Sequence, residues 1–251
     1  MARFRRLSLL ERDESTVTFR RLLGRILGPE RAYWVRQSMG LATWGTKSFE
    51  FWTLLAITLW TVRPRSIVEF GSGRSTSYLA DYAMKEGVQF ASIEQNSRWA
   101  RRVRLALRAG LVDPACVHHV PVVGDWYDSV RVDRLVPHPY EMLYVDGPIG
   151  VQDAHGRGDR TSSTALRWLT PAAAKAKVIV IDDVHRPKNL AMSTELAAAG
   201  GLSTMYLDYT LFPGEPVPAT IAVSVGSESL TRLREICAAA SISLTDSPDQ
   251  A

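Results

Sequence analysis

Ser66-Ile67-Val68-Glu69-Phe70-Gly71-Ser72-Gly73-Arg74-Ser75-Thr76 reads as a buried strand that runs into a glycine turn and then into a helix. Gly71 and Gly73 let the backbone turn tightly and approach a ligand with no Cβ in the way. The helix continues to about Glu86. A strand, a glycine turn and a helix in this order open a Rossmann-like α/β unit, which binds its ligand at the turn.

Outward from this unit the β-then-α pattern repeats. Residues 88–94 read as a second strand, and Asn96 or Ser97 caps a helix that Gly110 ends. Residues 117–123, 141–146 and 177–182 read as three further strands. Helices are expected near 162–170, ahead of Pro171, and over 189–199. Residues 203–212 and 218–225 form a hairpin around Pro213-Gly214-Glu215-Pro216, and a last helix covers 227–240. Alternating units predict a mostly parallel sheet with helices on both faces. The expected fold is therefore a Rossmann-like, doubly wound, seven-stranded α/β sheet closed by a C-terminal antiparallel hairpin. A helix over 48–61, N-capped by Ser48 and stopped before Pro64, leads into the domain, which spans 48–240. Residues 1–47 are expected as a helical extension broken at Gly28-Pro29, and 241–251 as a mobile tail.

A chain of 251 residues, 46% apolar, is enough for one such core. The two cysteines, Cys116 and Cys237, form no CxxC pattern, which argues against a disulfide framework or zinc site and for a reducing, cytoplasmic setting. No signal peptide is evident at Met1-Ala2-Arg3-Phe4-Arg5-Arg6. The apolar run 51–60 falls short of the roughly 20 residues that span a bilayer, so no transmembrane segment is expected. The formal charge is +4. Arginines crowd the first 25 residues and again Arg98, Arg101, Arg102, Arg104 and Arg108. They read either as a surface for an anionic partner or as solvated helix faces. The second group fits the solvated face, because Trp99, Val103 and Leu107 make an apolar stripe opposite it.

In an open α/β sheet the residues just beyond the strands carry the ligand. Here they are Glu69 to Thr76, Glu94, Gly124-Asp125, Asp146-Gly147-Pro148 and Asp182-Asp183, with a carboxylate at or near the end of each of these five consecutive strands. A dinucleotide fingerprint needs a third glycine, where this chain has Thr76. Glu69, two residues before the first glycine, suits a positively charged ligand better than pyrophosphate. Glu94 stands where an acid accepts ribose hydroxyls.

Glu69-Phe70-Gly71-Ser72-Gly73-Arg74-Ser75-Thr76 resembles the first motif of class I S-adenosylmethionine-dependent methyltransferases, and the resemblance spans about residues 48–225. It implies S-adenosylmethionine as cofactor, held by Glu69, Gly71, Ser72, Gly73, Ser75 and Thr76. Glu94 matches the family's ribose-binding acid, a feature that fits NAD equally. Gly124, Asp125 and Trp126 are similar to the segment that contacts adenine. The family reading is an O-methyltransferase acting on a small molecule or sugar, with homodimerisation open and nucleic acid not favoured as a partner.

On the acceptor side, Asp146, Asp182 and Asp183 either hold a divalent cation such as Mg2+ or bond backbone at their strand ends. The first arrangement is similar to metal-dependent O-methyltransferases, and Asp146-Gly147-Pro148-Ile149-Gly150 also resembles glucuronoxylan-type sugar methyltransferases. Asp146 and His185 are the catalytic candidates, with His185 either a general base or a local cap. Residues 152–160 read as a lid over the acceptor or as an ordinary solvated loop. The neighbours His118 and His119 face opposite sides of a strand and cannot share a metal. Two other functions compete. One is a nicotinamide-dependent oxidoreductase, disfavoured by Thr76 and Glu69. The other is a non-catalytic adaptor that binds an anionic partner through the basic N-terminal arm.

Overall fold

The structure, a computed structural model, describes residues 49–136, 139–148, 163–211, 217–240 and 242–248. The expected N-terminal extension, the 152–160 lid and the 213–216 turn lie outside the described residues. The first helix, α1 (Phe49–Val62), is apolar all round, and a helix of that kind must be buried. Phe51, Leu54, Leu55, Ile57 and Leu59 are each at most 1% exposed. Burial at about 1.5–3 kcal/mol per side chain makes their joint contribution on the order of 10 kcal/mol. This helix therefore belongs to the core.

The first winding runs β1 (Ser66–Phe70), α2 (Arg74–Glu86), β2 (Gln89–Glu94), α3 (Ser97–Ala109) and β3 (Val117–His119). Asn96 caps α3, its Oδ1 accepting from the backbone amides of Arg98 and Trp99 at 3.0 and 3.1 Å. A two-stranded ribbon of β4 (Val122–Val123) and β5 (Trp126–Tyr127) follows, then the short α4 (Ser129–Leu135) capped by Asp128. The second winding is β6 (Met142–Val145), α5 (Ser163–Ala173), β7 (Val178–Ile181) and α6 (Pro187–Gly200). The antiparallel pair β8 (Ser203–Leu211) and β9 (Val217–Val225) and then α7 (Ser227–Ala239) complete it.

The seven-stranded sheet has the order β3-β2-β1-β6-β7-β9-β8. Its first five strands pair in parallel, and β9 pairs antiparallel with both β7 and β8. This is the expected Rossmann-like, doubly wound sheet with a closing hairpin. One face packs on α1, α2 and α7 through Ile67, Tyr144, Val180 and Ile221. The other packs on α5 and α6 through Val68, Phe70, Leu143 and Ile179. The chain winds one way from β1 and the other way from β6, so the switch between them opens a crevice at the carboxyl ends of the two strands.

Three expectations are revised. The strand expected over 117–123 is two: β3 stops at His119, and the chain turns at Pro121 into the separate ribbon. Proline has no N–H for a ladder, which explains the break. Helix α5 runs through Pro171 to Ala173 instead of ending before it, because the buried stripe Ala165, Leu169 and Ala173, each 0% exposed, continues past the proline and offsets its one lost bond. The stretch after α7, expected as a mobile tail, is anchored at Ile242 and Thr245. Ile242 is 6% exposed, and Thr245 exchanges backbone bonds of 2.9 and 3.0 Å with Tyr206. Among the described residues no helix is long and apolar enough to cross a membrane.

Candidate functional site

Gly71 leaves β1 at the crevice with φ +92, its amide donating to Ile93 O at 2.8 Å. A Cβ there would stand 2.5 Å from Asp146 O and 2.7 Å from Gly147 N. The reciprocal Cβ on Gly147 would meet Gly71 Cα at 2.7 Å and Tyr127 Oη at 2.8 Å. Gly71 therefore makes room for the backbone leaving β6 rather than for a ligand. Gly73 is different, since a Cβ there would have nothing within 4 Å. The open side of the turn lies at Gly73, where a ligand can approach the backbone.

Glu69 lies beneath this turn. Alternation along β1 sends Val68 and Phe70 to one face of the sheet and Glu69 to the other, toward the first turn of α2. The carboxylate is fully buried and accepts three hydroxyl donors, Ser75 Oγ at 2.5 Å, Thr76 Oγ1 at 2.6 Å and Ser92 Oγ at 2.5 Å. Thr76 Oγ1 also accepts from Gly73 N at 2.7 Å, and Ser92 Oγ shares a 2.6 Å bond with Ser72 Oγ. Desolvation pushes the Glu69 carboxyl from 4.5 up to about 7 despite those three hydroxyls, with the charge of Asp146 adding to the rise. Glu69, Ser75 and Thr76 thus act on the shape of the turn. Ser92, the parallel partner of Glu69 on β2, is a site residue that sequence reading missed. A serine in an otherwise apolar strand was its signal, since a buried hydroxyl needs a partner.

Glu94 ends β2 and ties the turn to α3. Its Oε2 accepts from Ser72 N at 3.1 Å and its Oε1 from Asn96 N at 2.7 Å. Burial pushes its carboxyl up while those amides pull it down, and Asp146 again adds to the rise. Each carboxylate oxygen has a second lone pair, so Glu94 retains capacity for further donors.

Trp99 and Trp126 exchange their expected places. Trp99 is 43% exposed, and its indole N–H donates to Ser72 O at 2.6 Å. Trp126, expected against a ligand, is 0% exposed, with its ring 5.2 Å from Phe70 and 5.3 Å from Tyr127. It belongs to the core beneath the crevice. Gly124, at φ 70, and the exposed Asp125 form the tip of the β4–β5 ribbon.

Across the crevice, Asp146 follows β6, partly exposed, its amide donating to Phe70 O at 2.7 Å. Its charge adds to the upward push on both Glu69 and Glu94, and the three acids stand at the carboxyl ends of the adjacent strands β1, β2 and β6. His185 is exposed on the turn between β7 and α6. Asp182 is 1% exposed and turned inward, its Oδ1 accepting from Tyr209 Oη at 2.5 Å and from Asp183 N at 2.8 Å. Asp183, at φ 57, pairs with Arg186 at 3.3 Å. Asn189 of α6 donates to both their carbonyls, at 3.1 and 3.2 Å. Among the described residues no three His, Cys, Asp or Glu side chains gather to hold a metal. The ligand set expected from Asp146, Asp182 and Asp183 is therefore not formed. Asp182 supports the strand end through Tyr209 instead.

No protein-family model matches this sequence, and no curated protein matches it. Solved structures do. An O-methyltransferase from Bacillus cereus in complex with SAH is 16% identical, with 82% of this chain and 96% of that one covered and a TM-score of 0.46. The O-methyltransferase TomG from Streptomyces achromogenes, involved in tomaymycin synthesis and in complex with SAM, is 19% identical, covers 87% and 93%, and scores 0.46. A precorrin-6y C5,15-methyltransferase from Geobacter metallireducens is 15% identical, covers 68% and 86%, and scores 0.43. Likenesses this distant leave the functional reading to the residues of the crevice.

Proposed function

We propose that this chain is an S-adenosylmethionine-dependent methyltransferase that moves a methyl group to a hydroxyl of a small molecule or sugar. One observation carries the reading: Glu69, Glu94 and Asp146 stand at the carboxyl ends of the adjacent strands β1, β2 and β6, beneath and beside an open glycine turn, at the switch of a doubly wound sheet. The carboxylates of Glu94 and Asp146 beside the turn repel the pyrophosphate of a dinucleotide and attract a cation, whereas the buried Glu69 keeps its proton up to about pH 7 and shapes the turn. S-adenosylmethionine carries a sulfonium and an ammonium against one carboxylate. This contrast disfavours the nicotinamide reading.

Bound there, the sulfonium supplies an electrophilic methyl group. The roles of the chain follow from its geometry. Gly73 admits the ligand to the backbone, and Glu94 accepts the ribose hydroxyls. Glu69, through Ser75, Thr76 and Ser92, holds the turn in shape. Asp146 stands at the acceptor side and takes or orients the hydroxyl proton as the methyl moves, a role usually worth about 10²–10⁴-fold in rate. His185, on the exposed turn two residues beyond Asp183, is the second candidate for receiving that proton. Asp146-Gly147-Pro148 stands where amino-group methyltransferases of nucleic acids often carry an Asn-Pro-Pro-Tyr-like motif, which disfavours that class of acceptor. No step is assigned to a metal, because Asp182 and Asp183 are turned to Tyr209 and Arg186.

Calorimetry with S-adenosylmethionine, S-adenosylhomocysteine and NAD tests the reading, followed by methyl transfer to a panel of hydroxylated acceptors. Saturable binding of the first two is expected. Binding of NAD alone, or of none of the three, sinks it.

A further inference from the structure

Trp99 opens the apolar stripe of α3, yet it is 43% exposed where Val103 and Leu107 are 6% and 1% exposed. Burial of a tryptophan is among the largest apolar gains a chain can make. A half-open indole at the rim of a crevice is therefore apolar surface with a use. It is also held in place, with Nε1 donating to Ser72 O at 2.6 Å and its amide to Asn96 Oδ1 at 3.1 Å. Glu94 is fixed to the same two residues, through Ser72 N and Asn96 N. A flat aromatic and a carboxylate thus share supports beside the open side of Gly73. A carboxylate accepts a ribose diol, and a flat aromatic takes a base.

We infer that Trp99 is the platform on which the adenine of the bound nucleoside stacks, with Ser72 and Asn96 setting the distance from that platform to the diol acceptor Glu94. The inference rests on the methyl-donor reading and goes beyond it, by assigning base recognition to α3 in place of Trp126.

Trp99→Leu and Trp99→Phe in the full chain test it, with S-adenosylhomocysteine and adenosine as calorimetric probes. Loss of a base–aromatic stack costs about 5- to 150-fold in affinity. Trp99→Leu should lose that much for both probes in equal proportion, because both carry adenine. Trp99→Phe keeps a ring without the N–H and should retain most of the affinity. The difference in emission between wild type and Trp99→Phe should be quenched on adding S-adenosylhomocysteine. That readout is independent of whether the leucine variant folds.

Three results overturn the inference while leaving the methyl-donor reading intact. They are wild-type affinity in Trp99→Leu, equal losses in the two variants, which would make Trp99 only a brace for Ser72, and no quenching of the Trp99 emission. A wild type that binds neither probe overturns both.

Discussion

Glu69→Gln should remove a pH dependence that is written into the core. The Glu69 carboxyl is fully buried, and desolvation holds it at about 7 instead of 4.5. Below pH 4.5 it is protonated in both folded and unfolded chains, and its titration leaves stability unchanged. Between 4.5 and about 7 the unfolded chain releases the proton and the folded chain keeps it, so stability falls as pH rises. Above 7 the loss is complete, at roughly 3 kcal/mol. In a chain of this size that is about 6–12 °C in melting temperature. Glutamine stays neutral throughout. Its amide can still meet Ser75, Thr76 and Ser92, because hydroxyls accept as well as donate. Re-aiming them carries a cost that does not vary with pH and so cancels from the slope. Denaturant unfolding of both proteins at intervals from pH 4 to 8 isolates the effect as the difference between the two curves. That difference should shift in favour of the glutamine variant by roughly 3 kcal/mol across the window. A difference that stays flat with pH would refute the assignment of a proton to this site.

The two glycines of the turn should respond differently to alanine. Gly71→Ala forces a Cβ to 2.5 Å from Asp146 O at φ +92, and should lower stability by about 2–4 kcal/mol in denaturant titration. Gly73→Ala meets nothing within 4 Å, so it should melt like the wild type while losing S-adenosylhomocysteine affinity by calorimetry. Asp146→Asn should lower kcat by about 10²–10⁴-fold in a methyl-transfer assay, with the fold intact by circular dichroism. Tyr209→Phe removes a donor from the buried Asp182 carboxylate and should destabilise by about 1–3 kcal/mol, read by thermal unfolding.

The parallel strands were legible because a strand covered on both faces is a continuous apolar run, and 142–145 and 178–181 are such runs. The cap of α3 was legible in Asn96, whose side chain has one favourable use at that position. What failed depended on neighbours that no local pattern records. Helical periodicity placed Trp99 on the stripe of Val103 and Leu107. It could not show that the core takes Ala100 from the first turn of the helix and leaves the indole on the rim. Trp126 follows Gly124-Asp125, as a ligand-facing residue would, but the ribbon folds it onto Phe70. Pro121 did carry the signal that 117–123 is not one strand. The four carboxylates Glu69, Glu94, Asp146 and Asp182, at the ends of β1, β2, β6 and β7, were correctly located along the chain, and their partners decided their roles. Glu69 holds hydroxyls, Glu94 holds backbone amides, and Asp182 holds a tyrosine. A ligand set of three aspartates needed the side chains to converge, and strand spacing alone cannot supply that.

The contact between Gly71 and Gly147 has a genetic consequence. When two side chains collide, trimming one of them restores the fit, and second-site suppressors arise that way. A Cβ at Gly71 collides with the carbonyl of Asp146 and the amide of Gly147, atoms that every amino acid carries. No substitution at 146 or 147 removes them, so a Gly71 lesion has no local suppressor. At Gly147 only one of the colliding groups, the Tyr127 hydroxyl, belongs to a side chain that mutation could shorten. A reversion screen on either lesion should therefore return true revertants and distant global stabilisers, with none mapping to the opposing loop.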